Sequence, residues 1–149
     1  MGAESNEIAG RLFGSIYPYI RMHKLGHLFV AETGFQCFPT RPKLVRKPDV
    51  AFVANGRFAN EQTPKGHVAI APDLVVEAVS PNDTYDEVDI RVNEFLGVGV
   101  RLIWIISPAT KTVLVHRPNK TCNVLDISDT LSGEDVLPGF ACPVAELFS

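Results

Sequence analysis

The stretch Pro72-Asp73-Leu74-Val75-Val76-Glu77-Ala78-Val79-Ser80 decides how the rest of the chain is interpreted. It is short and almost continuously apolar, which is typical of a strand buried on both faces of a sheet. Glu77 lies inside it, although burying an ionised carboxylate without a partner is costly. Such a carboxylate is paired with a cation, bound to a metal or protonated. The central question is therefore which partner Glu77 has.

The composition is that of an ordinary globular domain. The chain has 149 residues, which predicts a single domain (1–149) with a substantial hydrophobic core. Its formal net charge of −3 argues against a protein that coats nucleic acid through bulk electrostatics. A local basic cluster nevertheless leads into Pro48-Asp49, and it consists of Arg41, Lys43, Arg46 and Lys47.

Cysteine usage and hydropathy indicate a cytoplasmic protein. Cys37, Cys122 and Cys142 are odd in number and far apart, and no pair has the spacing of a zinc site. No secretory signal precedes them, and no apolar run approaches the roughly 18 residues that span a bilayer. We therefore expect reduced, mostly buried thiols and no membrane association.

In the first third of the chain, periodicity predicts one helix followed by three strands. An amphipathic helix is expected over residues 6–23, with a kink or an early end at Pro18. Two short strands, 28–32 and 35–38, are expected to form a hairpin because a Thr-Gly turn divides them. A third strand is expected over residues 49–53.

The remainder predicts a central strand, a second helix and a strand meander. The strand covers residues 68–79, and the helix after it is expected to start with Ser80 as N-cap and end near residue 97 or 99. Further strands are expected over residues 101–106, 111–116 and 121–127, with a last hairpin over 130–136 and a helical turn over 143–148. This order predicts an α/β (α+β) domain with a mixed β-sheet flanked by helices.

A few ionisable residues occupy unusual places. Strand alternation puts Asp73 and Glu77 on one face of the central strand. Asp49 opens the preceding strand directly after a proline, and Arg91 borders the buried stripe of the second helix, from which it can lean over the sheet. These carboxylates and this cation are therefore expected to converge.

Two interpretations of this convergence stay open. In the structural interpretation, Arg91 holds Glu77 in a buried ion pair, while Asp49 and Asp73 cap turns. In the functional interpretation, Asp49 and Glu77 together bind a hard divalent cation. Magnesium is usually held by one or two carboxylates, water and substrate phosphate, so two acids suffice.

Four segments, spread over nearly the whole chain, carry a family resemblance. They are Arg46-Lys47-Pro48-Asp49-Val50-Ala51-Phe52-Val53, Pro72 to Ser80, Gly99-Val100-Arg101-Leu102-Ile103-Trp104 and Leu137-Pro138-Gly139-Phe140. In this order they resemble the Uma-type family (domain of unknown function 820), which is classed with the PD-(D/E)XK restriction-endonuclease-like nucleases. The resemblance implies a restriction-endonuclease-like mixed sheet and hydrolysis of DNA phosphodiester bonds with Mg²⁺ or Mn²⁺.

The resemblance also implies roles for single residues. Asp49 matches the aspartate of the PD element, and Glu77 matches the acid of the (D/E)XK element. The lysine position two residues after that acid is Val79 here. In this family the lysine has moved to the following helix, where alignment places Arg91.

Two further metal ligands are expected on the same grounds. They are the backbone carbonyl of Ala78 and Glu7, which matches an acidic residue that many such nucleases carry on the first helix. Arg91 departs from the family lysine, because a guanidinium keeps its charge and cannot shuttle a proton. Arg91 is therefore expected to orient a phosphate or to stabilise the transition state.

Two functions follow as hypotheses. The first is a Mg²⁺- or Mn²⁺-dependent DNA endonuclease with Asp49, Glu77 and Arg91 as catalytic residues. The alternative is a catalytically degenerate member that acts as a non-enzymatic binding or interaction module, because arginine replaces the lysine. A homodimer is expected. Compared with the family, the chain is also expected to lack an N-terminal strand pair.

Overall fold

The apolar segment around Glu77 forms one of the two middle strands of a six-stranded mixed sheet. A computed structural model describes residues 2–149. The elements are α1 (Ala3–His23), β1 (Gly26–Val30), β2 (Val50–Ala54), a 3-10 turn (Ala59–Glu61), β3 (Leu74–Ala78), α2 (Tyr85–Gly97), β4 (Leu102–Ser107), β5 (Thr112–His116), β6 (Cys122–Leu125), β7 (Thr130–Ser132), β8 (Ala141–Pro143) and α3 (Ala145–Phe148). The spatial order of the large sheet is β1-β2-β3-β4-β5-β6, and only β3 and β4 run parallel. The predicted mixed sheet flanked by helices is therefore confirmed.

Each face of the sheet carries its own apolar cluster. Leu74 and Val76 of β3 pack into the larger cluster, to which α1 contributes its apolar stripe of Ile8, Leu12, Ile16 and Ile20. Trp104 of β4 lies in the same cluster, fully buried and stacked on Phe140. Val75 packs on the other face, together with Val92 and Phe95 of α2. The predicted alternation of β3 is thus confirmed, and Glu77 lies on the face covered by α2.

The β3–α2–β4 unit positions the candidate site. Parallel strands cannot be joined by a tight turn, so the chain leaves the carboxyl end of β3, runs through α2 and returns into β4. Because β2 is antiparallel to β3, the start of β2 lies beside the end of β3. The residue before β2, the last residues of β3 and the loop into α2 therefore meet at one edge of the sheet.

The first helix does not end or break at Pro18. It runs from Ala3 to His23 with Pro18 inside it. Ile16 and Ile20, on either side of the proline, are 0% and 3% exposed. Proline removes one backbone hydrogen bond, at a cost of about 3 kcal/mol, but burying two isoleucines offsets that cost. Packing against the sheet keeps the last turn helical.

The hairpin predicted for residues 28–38 is wrong. β1 pairs instead with β2, in the register Val30↔Val50. Phe35 is buried, and it makes isolated bridges to Arg46 and to Val68. Residues 35–38 therefore form no regular strand, and β3 begins at Leu74 rather than at residue 68. The local pattern predicted that these two segments pair with each other, but each of them pairs with a segment farther along the chain.

The second helix starts at Tyr85, later than predicted, and its N-cap is Thr84 instead of Ser80. The Thr84 side chain accepts a hydrogen bond from the backbone N–H of Glu87 at 3.2 Å. Residues Ser80 and Asp83 form a separate turn before the helix. Two overlapping cap signals occur in this segment, and the second one begins the helix.

The last hairpin was also misplaced. β7 (Thr130–Ser132) pairs with β8 (Ala141–Pro143), so the turn between them spans residues 133–140, whereas the predicted hairpin lay within residues 130–136 and turned at Ser132 and Gly133. Gly133 donates a backbone hydrogen bond to Phe140 at 2.9 Å and accepts one from Leu137, also at 2.9 Å. The helical turn expected over residues 143–148 is present as α3.

The structure bears on two remaining expectations. The cysteines form no disulfide: Cys37 and Cys142 are buried, whereas Cys122 is exposed. Within residues 2–149, no helix has the length and apolar character needed to cross a membrane.

Candidate active site

Asp49 and Glu77 lie at the meeting point of β2 and β3. The antiparallel register pairs Val50 with Val76, and one further step along it sets Asp49 opposite Glu77 on the face covered by α2. Asp49 Oδ2 accepts a hydrogen bond from the backbone N–H of Ala78 at 2.7 Å. The Asp49 side chain thus continues the β2–β3 hydrogen bonding where the strand pairing ends.

Arg91 reaches this edge from α2. Its Nε donates to Glu77 Oε2 at 2.9 Å, and the two side chains are 20% and 14% exposed. The sequence therefore correctly predicted that Arg91 leans over the sheet toward Glu77. A second carboxylate, Asp83, has its Oδ1 3.7 Å from Arg91 Nη2.

Asp83 also lines this edge, although it was not among the residues expected to converge here. Its Oδ2 accepts a hydrogen bond from the backbone N–H of Ser80 at 2.9 Å, and its own N–H donates to the carbonyl of Ser80 at 3.0 Å. This turn directs the carboxylate toward Arg91. The available signal was the second S/T-x-x-D/E pattern at Thr84, which can begin the helix and so leaves Ser80 and Asp83 to form a turn before it.

A groove of about 700 Å³ opens over these residues. Asp49, Glu77, Asp83 and Arg91 line it. Arg46 and Lys47, the end of the predicted basic cluster, line it as well. The groove therefore combines a group of carboxylates with basic side chains.

Burial makes two of the groove carboxylates, Glu77 and Asp49, poorer acids. Burial raises the pKa of Glu77 above its ordinary value, and the negative charges of Asp49 and Asp83 raise it further, while Arg91 opposes this only in part. Burial likewise raises the pKa of Asp49, against the hydrogen bond from Ala78 that lowers it. Three carboxylates share one guanidinium, so another cation in the groove would stabilise their ionised forms.

The donor atoms at this edge fit a small, hard divalent cation. Asp49 Oδ1 and Glu77 Oε1 have no hydrogen-bond partner among residues 2–149. The carbonyl of Ala78 points to the same side of β3 as its N–H, which is toward Asp49. Residues 2–149 contain no cluster of three or more His, Cys, Asp or Glu suited to a metal. A cation here would therefore rely on two carboxylates, a carbonyl, water and substrate, as Mg²⁺ commonly does.

Two acidic residues considered at the outset lie elsewhere. Glu7 is exposed on α1, pairs with Arg11 at 2.7 Å and does not line the groove. Asp73 lies at the opposite end of β3, where Arg57 and Arg101 bind it. The structure therefore brings together Asp49, Glu77 and Arg91, but not Glu7 or Asp73.

The edge where β2 and β3 meet has features expected from the structural interpretation and features expected from the functional one. The Arg91–Glu77 ion pair and the bond from Asp49 to Ala78 agree with the structural interpretation. That interpretation leaves the surplus of carboxylates and their placement in an open groove without an explanation. The functional interpretation accounts for both features.

Comparison with known proteins agrees with the fold and identifies the family. The family model Uma2, described as "Putative restriction endonuclease", matches residues 1–145. A solved structure from Anabaena variabilis, described as a "putative nuclease belonging to DUF820", has a TM-score of 0.83 at 21% identity, over 99% of this chain and 82% of that one. At this identity the likeness shows the shared fold. No curated protein matches the chain. The predicted family is therefore confirmed: this chain belongs to the Uma2 family.

Proposed function

We propose that this protein is an endodeoxyribonuclease that hydrolyses phosphodiester bonds with Mg²⁺ or Mn²⁺. The observation that carries the proposal is the pairing of Asp49 and Glu77 at the adjoining ends of β2 and β3, each with one oxygen left for a cation. Membership of the Uma2 family, whose description is "Putative restriction endonuclease", supports it.

In this proposal Asp49, Glu77 and the Ala78 carbonyl hold the cation. The cation supplies charge neutralisation at phosphorus and an acidified water. Arg91 provides a fixed positive charge for a phosphate oxygen. Because a guanidinium is effectively never deprotonated, Arg91 cannot accept the proton of the attacking water. Catalysis would therefore depend mainly on charge and positioning.

The basic rim of the groove supports DNA as the substrate. Arg41 and Arg46 both bind Glu94 of α2, at 3.0 and 2.7 Å, which fixes the basic loop beside the groove. Lys47 is half exposed and its one ion pair is a long contact of 3.4 Å to Glu32. Its ammonium is therefore available to a backbone phosphate, which is the contact that positions most nucleic-acid ligands.

Cleavage of supercoiled plasmid DNA tests the proposal directly. Wild type, Asp49→Asn and Glu77→Gln would be compared with Mn²⁺, with Mg²⁺ and with chelator. We expect metal-dependent nicking that either substitution lowers more than about 100-fold, since even groups that only support metal ligands contribute 10–100-fold. Glu7→Gln removes a carboxylate outside the groove, so it should leave the rate unchanged. Equal cleavage by wild type and Glu77→Gln would rule the proposal out.

The Arg91–Glu77 ion pair favours a second candidate. In it, the protein is a non-catalytic homodimeric binding module, and the guanidinium occupies the place of the cation. Calorimetric titration with Mg²⁺ and Mn²⁺ separates the candidates. Binding that is lost in Asp49→Ala supports the nuclease, whereas no binding at millimolar metal supports the module. Sedimentation of the same samples tests the dimer.

A further inference from the structure

The remaining question at this site is how Glu77 could serve both Arg91 and a cation. We propose that Asp83 is a positioning residue, which takes Arg91 over from Glu77 when a divalent cation occupies the edge formed by Asp49 and Glu77. This inference rests on the proposed function and adds to it a second ion-pair partner, Asp83, for the Arg91 guanidinium.

Arg91 and a divalent cation would compete for Glu77. Arg91 Nε uses Glu77 Oε2 at 2.9 Å, and both side chains are largely removed from water. A divalent cation on Glu77 would repel the guanidinium at short range and weaken that pair. Arg91 then needs another anionic partner, because a half-buried guanidinium without one is costly.

Asp83 is held in place beside Arg91 and has one carboxylate oxygen without a hydrogen-bond partner in the described part of the chain. The backbone N–H of Ser80 holds Oδ2, so the carboxylate is fixed on its turn. Oδ1 faces Arg91 Nη2 at 3.7 Å and has no hydrogen-bond partner among residues 2–149. Charge-assisted bonds between guanidinium and carboxylate are usually about 2.7–2.9 Å long, so a small side-chain rotation would complete this one.

Glu87, another acid near Arg91, is less suited to become its partner. Glu87 attracts the guanidinium, but its Oε1 accepts a hydrogen bond from Thr84 Oγ1 at 3.1 Å at the exposed start of α2. Asp49 is itself an expected cation ligand. Asp83 is therefore the carboxylate that remains for Arg91, and a guanidinium bound there stays in the groove beside the substrate phosphate.

A double-mutant cycle read by Mn²⁺ calorimetry tests this role. The proteins are wild type, Asp83→Asn, Arg91→Gln and the double variant. Asparagine can still accept the Ser80 bond, so the turn is retained. In the Arg91 background, Asp83→Asn should weaken Mn²⁺ binding about tenfold, because Arg91 then has only Glu77. In the Arg91→Gln background the same change should weaken binding by about twofold or less.

The matched control is Glu87→Gln, which removes a charge near Arg91 but keeps a side chain that can cap α2. It should change the Mn²⁺ dissociation constant by less than about twofold. Equal losses from Asp83→Asn in both backgrounds, or no loss in either, would overturn the role of Asp83 while leaving the proposed nuclease intact. No Mn²⁺ binding by wild type or Arg91→Gln would overturn both.

Discussion

The two ends of β3 place similar residues in opposite electrostatic situations. Asp73 before the strand and Glu77 within it lie on the same face, and each is bound by arginine. At one end, two arginines bind the single carboxylate of Asp73. At the other end, three carboxylates (Asp49, Glu77 and Asp83) lie near the single guanidinium of Arg91. The first end is a structural junction, and the second opens into the groove.

The Asp73 end is closed. One carboxylate oxygen accepts from the backbone N–H of Ala54 at 2.8 Å and from Arg57 at 3.1 Å, and the other accepts two bonds from Arg101 at 3.2 Å. The side chain is 8% exposed. Every acceptor position that a buried carboxylate needs is filled, which leaves no place for a ligand.

The comparison of the two ends teaches that a buried acid bound by arginine is not by itself a sign of function. What separates the two ends is the balance of carboxylates to cations and the presence of oxygens without partners. Burial raises the pKa of Glu77 and of Asp49, so their ionised forms are disfavoured without a further cation. The following predictions test this contrast, from the largest expected effect to the smallest.

Asp73→Ala should cause the largest loss of stability. It leaves the N–H of Ala54 unpaired and two half-buried arginines without their acid, and we expect a loss of about 2–3 kcal/mol in the free energy of unfolding. Urea denaturation measures it. Glu134→Ala, which breaks the pair of Arg117 with a more exposed acid than Asp73, is the control and should cost less than about 1 kcal/mol. Similar losses in the two variants would contradict a closed, structural junction.

Arg91→Lys restores the residue type that the family resemblance assigns to this position. An ammonium can lose a proton, so we expect plasmid cleavage to rise about tenfold and to increase with pH, whereas the wild-type rate should not depend on this residue's protonation. Initial nicking rates at saturating Mn²⁺ between neutral and alkaline pH would show this. A slower Arg91→Lys enzyme would indicate that a bidentate contact of arginine with the substrate phosphate matters more than proton transfer.

The pH dependence of stability should differ between wild type and a variant carrying both Asp49→Asn and Glu77→Gln. The folded-state pKa values of both acids are raised above 3.8 and 4.5, so the folded protein binds more protons than the unfolded chain. This stabilisation is complete below those values and is lost as pH rises through the raised ones. Wild type should therefore lose stability relative to the variant as pH rises from 3.8 upward.

Chemical denaturation at several pH values, with and without Mg²⁺, checks this sign. Added Mg²⁺ should reduce the loss in wild type and have no effect on the variant, because the cation replaces the missing positive charge. A wild type that gains stability over this pH range would contradict raised pKa values at this end of β3.

The sequence predicted the centre of the site but not its surroundings. Strand alternation and the helical position of Arg91 brought it correctly to Glu77, since both depend on local periodicity. Asp83 was missed because Ser80 and Thr84 begin equally good caps, and the choice between them depends on how α2 packs on the sheet. Local signals of similar strength cannot decide such a case.

The errors in the fold have the same origin. The run near Phe35 was expected to pair with the strand just before it, but the partners of Phe35 are Arg46 and Val68, which are distant in sequence. Pro18 was expected to kink or end the first helix, yet tertiary packing of Ile16 and Ile20 outweighs its local preference. Patterns of two to four residues predict burial and element type better than they predict pairing.

The fluorescence of Trp104 should report unfolding without reporting cation binding. This residue is the single tryptophan of the chain and is fully buried on the α1 face, opposite to the groove. Its indole N–H has no hydrogen-bond partner among the described residues. We expect its fluorescence emission to lie at short wavelength and to shift to the red on unfolding. Cation binding on the far side of the sheet should leave this signal unchanged, so unfolding can be followed in every variant while the metal is titrated.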